Sequence, residues 1–295
     1  MIIDELQMLL CKTYQIQEDV NMIFDIIKNS EFYKKVVNLE YIPESDNEIV
    51  LKNSDNLNFK CQDCIKAQSK NPFILYLNVD GSSYGPKNIN KMEGEIESNI
   101  KYSKIRIGIL AGLYTIMVYD NGFKYNNNKK KWENGYNHKT YNSVQELISD
   151  LVPQKYAQYE LMDYRIKGSI HHELIHWIDD TLHDNFITKK INNALKDQKS
   201  IKNSLHQKRI KVVYSPYEVN AMIGNIKELK NSMSIDEWDN LTLQGMLSLL
   251  PSYARIFKTE KSDQKIRFFK DITKRMYREG LFGKNMNNDL SELDL

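Results

Sequence analysis

Cysteine is scarce in this sequence, and long apolar runs are missing from it. The 295 residues include only three cysteines, which excludes a disulfide-stapled scaffold and favours a reducing, intracellular compartment. No segment approaches the ~18 consecutive apolar residues that a membrane span needs. The first ten residues place Asp4 and Glu5 where a secretory signal carries basic residues. We therefore predict a cytoplasmic protein with no membrane partner.

A charge excess of either sign is also missing. Lys and Arg number 41 and Asp and Glu 39, so the net charge of +2 gives no argument for a nucleic-acid partner. The composition, 41% hydrophobic and 27% charged, is typical of a soluble globular protein. One local patch keeps nucleic acid open as an alternative, since the last predicted helix carries basic residues that include Lys270 and Lys274. Phe269, Ile272 and Met276 give that helix an apolar face, which favours an ordinary solvated helix.

The pattern of apolar residues predicts an α+β fold. Residues 3–40 are typical of helix, and the polar stretch 44–72 is typical of loop or weak strand. Short apolar or alternating stretches predict strands at 73–79, 105–110 and 114–119. We expect a small, mostly antiparallel sheet packed on a helical half, and residues 126–131 are predicted to be a polar hairpin tip or a flexible loop.

Helix signals dominate from Ser143 onward. A helix is predicted over about 156–182 with a possible break at Gly168, and another begins at Ser215 and Pro216. Ser234 and Glu237 have capping-box spacing. The final amphipathic helix covers about 262–279 and ends at Gly280.

Three parts are predicted along the chain. Residues 1–70 form an N-terminal helical segment, 71–255 a metallopeptidase-like catalytic domain, and 256–295 a C-terminal amphipathic helix and tail. The Lys-, Asn- and Gln-rich stretch 184–213 links helices within the second part.

The residues that carry chemistry are His172-Glu173-Leu174-Ile175-His176. Two histidines four residues apart lie one turn apart on the same helix face, about 5–6 Å between Cβ atoms, and can reach one tetrahedral Zn²⁺. Glu173 is then placed beside the metal, where a carboxylate can take a proton from the attacking water and deliver it to a leaving amine. The alternative is a solvated helix face that holds two histidines by chance.

The opposite face of the same helix is apolar. Ile170, Leu174, Trp177 and Ile178 fall at i, i+4, i+7 and i+8, the spacing of a stripe that faces a core. The histidines therefore point away from that core, and a zinc site requires that this face be turned towards a cleft.

A catalytic zinc needs a third protein ligand. Glu218 is the first choice, although Ser215 and Glu218 also have capping-box spacing, so the glutamate could simply cap its helix. His183 is the runner-up. Asp179 and Asp180 suit the orientation of an imidazole better than direct ligation.

The motif at 172–180, followed by Tyr-Ser-Pro-Tyr-Glu-Val-Asn-Ala at 214–221, resembles the gluzincin zinc metallopeptidases. The nearest patterns are lethal-factor-like peptidases and small HExxH proteins of phages and bacteria. The resemblance covers roughly residues 100–230 and is specific only at the motifs. It implies zinc held by His172, His176 and Glu218, with Glu173 as general base and a protein or peptide as substrate. Such families often stabilise the oxyanion with a tyrosine or a histidine, and Tyr214 is the candidate here.

Two other functions stay open from the sequence. One is a non-catalytic structural protein, for instance a virion component, with a vestigial or structural zinc site. The other is a nucleic-acid-associated protease that uses His183 as third ligand.

Cys61-Gln-Asp-Cys64 has zinc-knuckle spacing, but no second pair accompanies it, so we interpret it as structural or incidental. Cleavage specificity and oligomeric state are left open by the sequence.

Overall fold

The computed structural model describes residues 13–42, 48–79, 83–87, 102–110, 122–151, 161–183, 216–250 and 263–286. Within these residues the fold is α+β, as predicted. The chain divides into two compact units, of which the first is Ile16–Trp177 and the second comprises residues 1–15 and 178–295. The predicted organisation into 1–70, 71–255 and 256–295 stays a prediction. The strand predicted at 114–119 and the linking stretch 184–213 lie outside the described residues.

A four-stranded sheet forms the framework of the first unit. Its strands are β1 (Glu48–Asn53), β2 (Phe73–Asn78), β3 (Ser83–Lys87) and β4 (Tyr102–Gly108), in the order β1-β2-β4-β3. The central strands β2 and β4 run parallel, and each pairs antiparallel with an edge strand. A central strand is covered on both faces, which explains the nearly continuous apolar run of β2. The strands predicted at 73–79 and 105–110 are confirmed.

A second, antiparallel sheet contains β5 (Lys124–Asn126), β6 (Lys131–Glu133) and β7 (Thr140–Tyr141). The hairpin tip predicted at 126–131 is confirmed, because β5 and β6 pair across it. The side chain of Asn126 accepts the backbone N–H groups of Asn128 and Lys129, at 3.0 and 3.1 Å. The mostly antiparallel pairing is therefore distributed over two sheets.

The described part of the first unit also contains the helices α1 (Gln17–Lys28), α2 (Glu31–Val37), α3 (Gln62–Lys70) and α4 (Val144–Leu151). The first two confirm the helical prediction for the described part of 3–40. Helix α3 shows that the interpretation of 44–72 as loop or weak strand is wrong for its last third. Only Cys64 and Ala67 of α3 are buried, so the helix has too few apolar residues to produce a periodic signal.

Helix α5 (Leu161–Leu182) is the long helix that carries the histidine motif. It continues through Gly168, so the break considered there is wrong. The predicted core stripe is confirmed, since Ile170, Leu174 and Trp177 are at most 1% exposed. The indole N–H of Trp177 donates to the carbonyl oxygen of Asn71 at 2.8 Å, and its ring meets Phe73 edge-on at 4.7 Å between centroids. These contacts anchor α5 beside strand β2.

The second unit is helical in its described part. Its helices are α6 (Pro216–Asn231), α7 (Ile235–Asn240), α8 (Leu243–Ser248) and α9 (Asp263–Arg278), which follow the end of α5. The capping box of Ser234 and Glu237 is confirmed at the start of α7. Gly280 ends α9 with a φ of 63°, as predicted, and its carbonyl oxygen accepts the Lys230 ammonium at 2.8 Å. None of the described helices has the length and apolar character of a membrane span.

Truncation of Trp177 tests its role as the anchor of α5. We expect Trp177→Ala to lower the free energy of unfolding by about 3–5 kcal/mol, because a large buried aromatic leaves a cavity. Trp177→Phe should cost about 1 kcal/mol, since ring packing is partly retained and one hydrogen bond is lost. Urea unfolding followed by circular dichroism measures both.

Ile235→Ala is the control for that series, because Ile235 is 80% exposed and should change the stability by less than about 0.5 kcal/mol. An equal loss in Trp177→Ala and Ile235→Ala would contradict the anchoring role.

Candidate metal centre

The two histidines of α5 converge on one point. Their Nε2 atoms lie 3.0 Å apart, and their rings are nearly perpendicular, at 88° with centroids 4.5 Å apart. Two zinc–nitrogen bonds of 2.0–2.1 Å at a tetrahedral angle would separate the nitrogens by about 3.3 Å. His172 and His176 thus already have close to the orientation that a shared divalent cation requires.

The motif lies in a shielded environment. His176 is 4% exposed and Glu173 5% exposed, while His172 is partly exposed. The helix face at His176 and Glu173 is therefore not solvated, whereas a chance pairing of the two histidines stays an alternative.

Glu218 supplies a third donor close to these histidines. It lies in the first turn of α6, and its side chain is partly buried. One ligand atom from each of His172, His176 and Glu218 lies within 4.8 Å of the other two. Two imidazole nitrogens and one carboxylate oxygen are a donor set that Zn²⁺ accepts, so these residues fit the metal that the sequence predicts.

The runner-up ligand, His183, is not part of this donor group. His183 belongs to the described residues, and its backbone N–H donates to the carbonyl oxygen of Asp179 at 3.2 Å, but its side chain is not a member of the donor group. Tyr214 and Ser215 lie outside the described residues. The oxyanion role of Tyr214 and the capping alternative for Glu218 therefore stay predictions.

A buried polar network fixes helix α6 against the end of α5 within the second unit. Asp179 is fully buried, and its Oδ2 atom accepts the Asn220 amide at 3.0 Å. Its Oδ1 atom accepts the hydroxyl of Tyr14. The guanidinium of Arg275 in turn donates to the Asn220 side-chain oxygen at 3.2 Å.

This network fixes the turn of α6 that carries Glu218. Asn220 follows Glu218 by two residues, and its side-chain amide donates to the buried carboxylate of Asp179 within the second unit. The sequence predicts that Asp179 or Asp180 orients an imidazole, and this stays a prediction. The contacts of Asp179 with Tyr14 and Asn220 hold α6 in place. Tyr14, Asn220 and Arg275 have no periodicity or motif that would identify them from sequence.

No family model, curated protein or solved structure matches this chain. A metal centre is supported by the donor atoms of the site and by the resemblance at the two motifs. The donor atoms and their burial are independent of that resemblance.

Removal of the Asp179 carboxylate tests the network. We expect Asp179→Ala to lower the free energy of unfolding by about 1–3 kcal/mol, because buried partners on Tyr14 and Asn220 lose their acceptor. Urea unfolding followed by circular dichroism gives the value.

The matched control is Asp239→Ala, which removes an aspartate whose partner Lys284 lies 3.0 Å away with a side chain that is 83% exposed. Solvent screens such a pair, so its loss should have a much smaller effect. Similar losses in the two variants would show that Asp179 does not stabilise the contact between α5 and α6.

Proposed function

We propose that this protein is a zinc-dependent endopeptidase of gluzincin type. The observation that carries the proposal is the convergence of His172 and His176, with Nε2 atoms 3.0 Å apart, on a point that the Glu218 carboxylate also reaches. The same three residues are those that the resemblance at the motifs implies as zinc ligands.

The number of donors favours catalysis over a structural zinc site. Structural zinc is held by four protein ligands, whereas catalytic zinc keeps three and leaves a position for water or substrate. Among the described residues, the donor group contains His172, His176 and Glu218 and no fourth histidine, cysteine or acid. Zn²⁺ bound there would polarise a peptide carbonyl and lower the pKa of the attacking water.

Glu173 is the proposed general base. It follows the first ligand directly and is 5% exposed, so bulk water does not surround its carboxylate. In the proposed reaction, the Glu173 carboxylate accepts a proton from the attacking water and then donates it to the nitrogen of the leaving amine. His172 and His176 hold their orientation because the opposite face of α5 is packed through Trp177. Tyr214 is the proposed donor to the oxyanion.

The proposed substrate is a protein or peptide, and the proposed setting is the cytoplasm. Of the other functions, the nucleic-acid-associated protease needs His183 as third ligand, and the donor group contains Glu218 in that place. Lys270 and Lys274 are exposed on α9, but exposed lysines are also the ordinary solvated face of an amphipathic helix.

Zinc content tests the ligand set. We expect the purified chain to hold about one zinc per molecule and His176→Ala or Glu218→Ala to hold almost none, because two remaining donors bind zinc weakly. Elemental analysis by mass spectrometry after dialysis provides the measurement.

Two histidine controls make this experiment specific. His138→Ala removes an imidazole whose side chain is 76% exposed and should leave the zinc content unchanged. His183→Ala should also keep the metal. If His183→Ala lost its zinc and Glu218→Ala kept it, the third ligand would be His183 and not Glu218.

Turnover tests the role of Glu173. We expect Glu173→Gln to keep its zinc and to lower kcat by about 10²–10⁴-fold, because glutamine cannot accept the proton of the attacking water. Hydrolysis of a fluorescently labelled unfolded protein, followed by mass spectrometry of the products, measures this loss.

Glu228→Gln makes the same change at a glutamate that is 3% exposed, and should retain most of the turnover. Full activity of Glu173→Gln would contradict the proposed role of Glu173 as general base. No hydrolysis by the zinc-loaded native chain, across a mixture of peptides, would favour the structural alternative.

A further inference from the structure

A second cluster of reactive side chains lies in the first unit. It consists of Asp19 on α1, Cys61 immediately before α3, and Cys64 in the first turn of α3. The two sulfur atoms and a carboxylate oxygen of Asp19 all lie within 4.8 Å of one another. From sequence alone the cysteine pair is interpreted as structural or incidental, since Asp19 is distant along the chain.

The two cysteines differ in exposure and in protonation. Cys64 is fully buried and Cys61 is partly exposed. Cys61 occupies the N-cap position of the nine-residue helix α3, where the helix dipole favours negative charge on its sulfur. A hydrogen bond from Cys64 lowers the pKa of Cys61 to about 6. The same contact, together with burial, raises the pKa of Cys64. At neutral pH this arrangement presents a thiolate to solvent with a thiol behind it.

Asp19 is held firmly beside this pair. It is 1% exposed, and its Oδ1 and Oδ2 atoms accept the backbone N–H groups of Lys60 at 2.6 Å and Cys61 at 3.0 Å. These bonds supply the partners that a buried carboxylate requires. They also place a proton acceptor next to the buried Cys64 thiol.

We propose that Cys61 and Cys64 form a dithiol site that undergoes thiol–disulfide exchange with a disulfide-bonded substrate. The Cys61 thiolate attacks one sulfur of the substrate, forms a mixed disulfide and releases the first substrate thiolate, which takes a proton from water. Asp19 accepts the proton of Cys64, whose sulfur then attacks the Cys61 sulfur and releases the second substrate thiolate. That thiolate gains the proton, so the substrate disulfide is reduced to two thiols and the protein dithiol is oxidised to one disulfide.

The spacing of the pair allows this final bond. Residues i and i+3 in one helical turn are neighbours, and a disulfide needs Cα atoms about 4.4–6.8 Å apart. A zinc site is the competing interpretation of the same three side chains. Structural zinc is held by four protein ligands, whereas this group offers three among the described residues. The hydrogen bond with Cys61 and burial also raise the pKa of Cys64, which keeps the proton that a zinc ligand must lose. These features favour exchange chemistry.

Oxidised glutathione is the probe for the test, applied to the reduced full-length protein. The reaction is stopped with acid, free thiols are alkylated, and peptide mass spectrometry identifies each linkage. We expect a disulfide between Cys61 and Cys64 and two released glutathione thiols. Cys64→Ser should stop at the glutathione adduct on Cys61, and Cys61→Ser should react at least about 10-fold more slowly, because the activated thiolate is gone.

Two further variants complete the test. Cys11→Ser should behave like the native chain, and Asp19→Asn should accumulate the mixed disulfide because its second step slows. Circular dichroism identifies any variant that is unfolded, and Cys64→Ala then replaces Cys64→Ser.

The proposal is overturned if glutathione adducts form equally in Cys61→Ser and in the native chain. It is also overturned if the His176→Ala protein binds one zinc through Cys61 and Cys64 and resists oxidation. This second outcome is distinguishable from failure at the histidine site, since His176→Ala removes that site in advance.

Discussion

Helix α5 has to be held in one rotational setting, because its two long faces have different roles. One face buries Trp177 beside β2, and the other directs the Nε2 atoms of His172 and His176 to within 3.0 Å of each other. A shift of one residue turns a helix by about 100°, which would move Trp177 away from Asn71 and Phe73. The hydrogen bond from the Trp177 indole to Asn71 resists that rotation with a directional contact where apolar packing alone would permit sliding. The position of the two histidine Nε2 atoms therefore depends on the rotational orientation of α5 about its axis.

Polar contacts fix the second part of the site. Helix α6 carries Glu218, and the Asn220 amide one half-turn further on bonds to buried Asp179. Buried hydrogen bonds contribute modestly to stability, yet an unsatisfied buried partner is costly, so alternative registers of α6 are penalised. Arg275 extends the network from α9 by donating to Asn220, and also forms an ion pair with Glu279 at 3.3 Å. The donors at the candidate centre are thus positioned by residues with no part in ligation.

Elements with a periodic apolar pattern and motifs of neighbouring residues can be predicted from the sequence. Contacts between residues that are far apart along the chain cannot. The stripe on α5, the strand β2 and the capping box at Ser234 all arise from neighbouring residues, and each prediction is confirmed. Helix α3 escapes prediction because only two of its residues are buried. The parallel pairing of β2 with β4 also escapes, since pairing direction follows from how the chain crosses over between strands. Tyr14 reaches Asp179 across 165 positions, a contact that no local pattern encodes.

The two proposed sites share one physical logic. Each begins with a pair of identical side chains one helical turn apart, His172 with His176 and Cys61 with Cys64, and such pairs occur often by chance. A carboxylate from a distant part of the chain then decides the chemistry. In the proposed chemistry, the Glu218 carboxylate beside two imidazoles supplies an oxygen donor for a cation, whereas the Asp19 carboxylate beside two thiols accepts a proton. The informative feature at each site is therefore the acid, because its position requires the folded chain and the short motif does not.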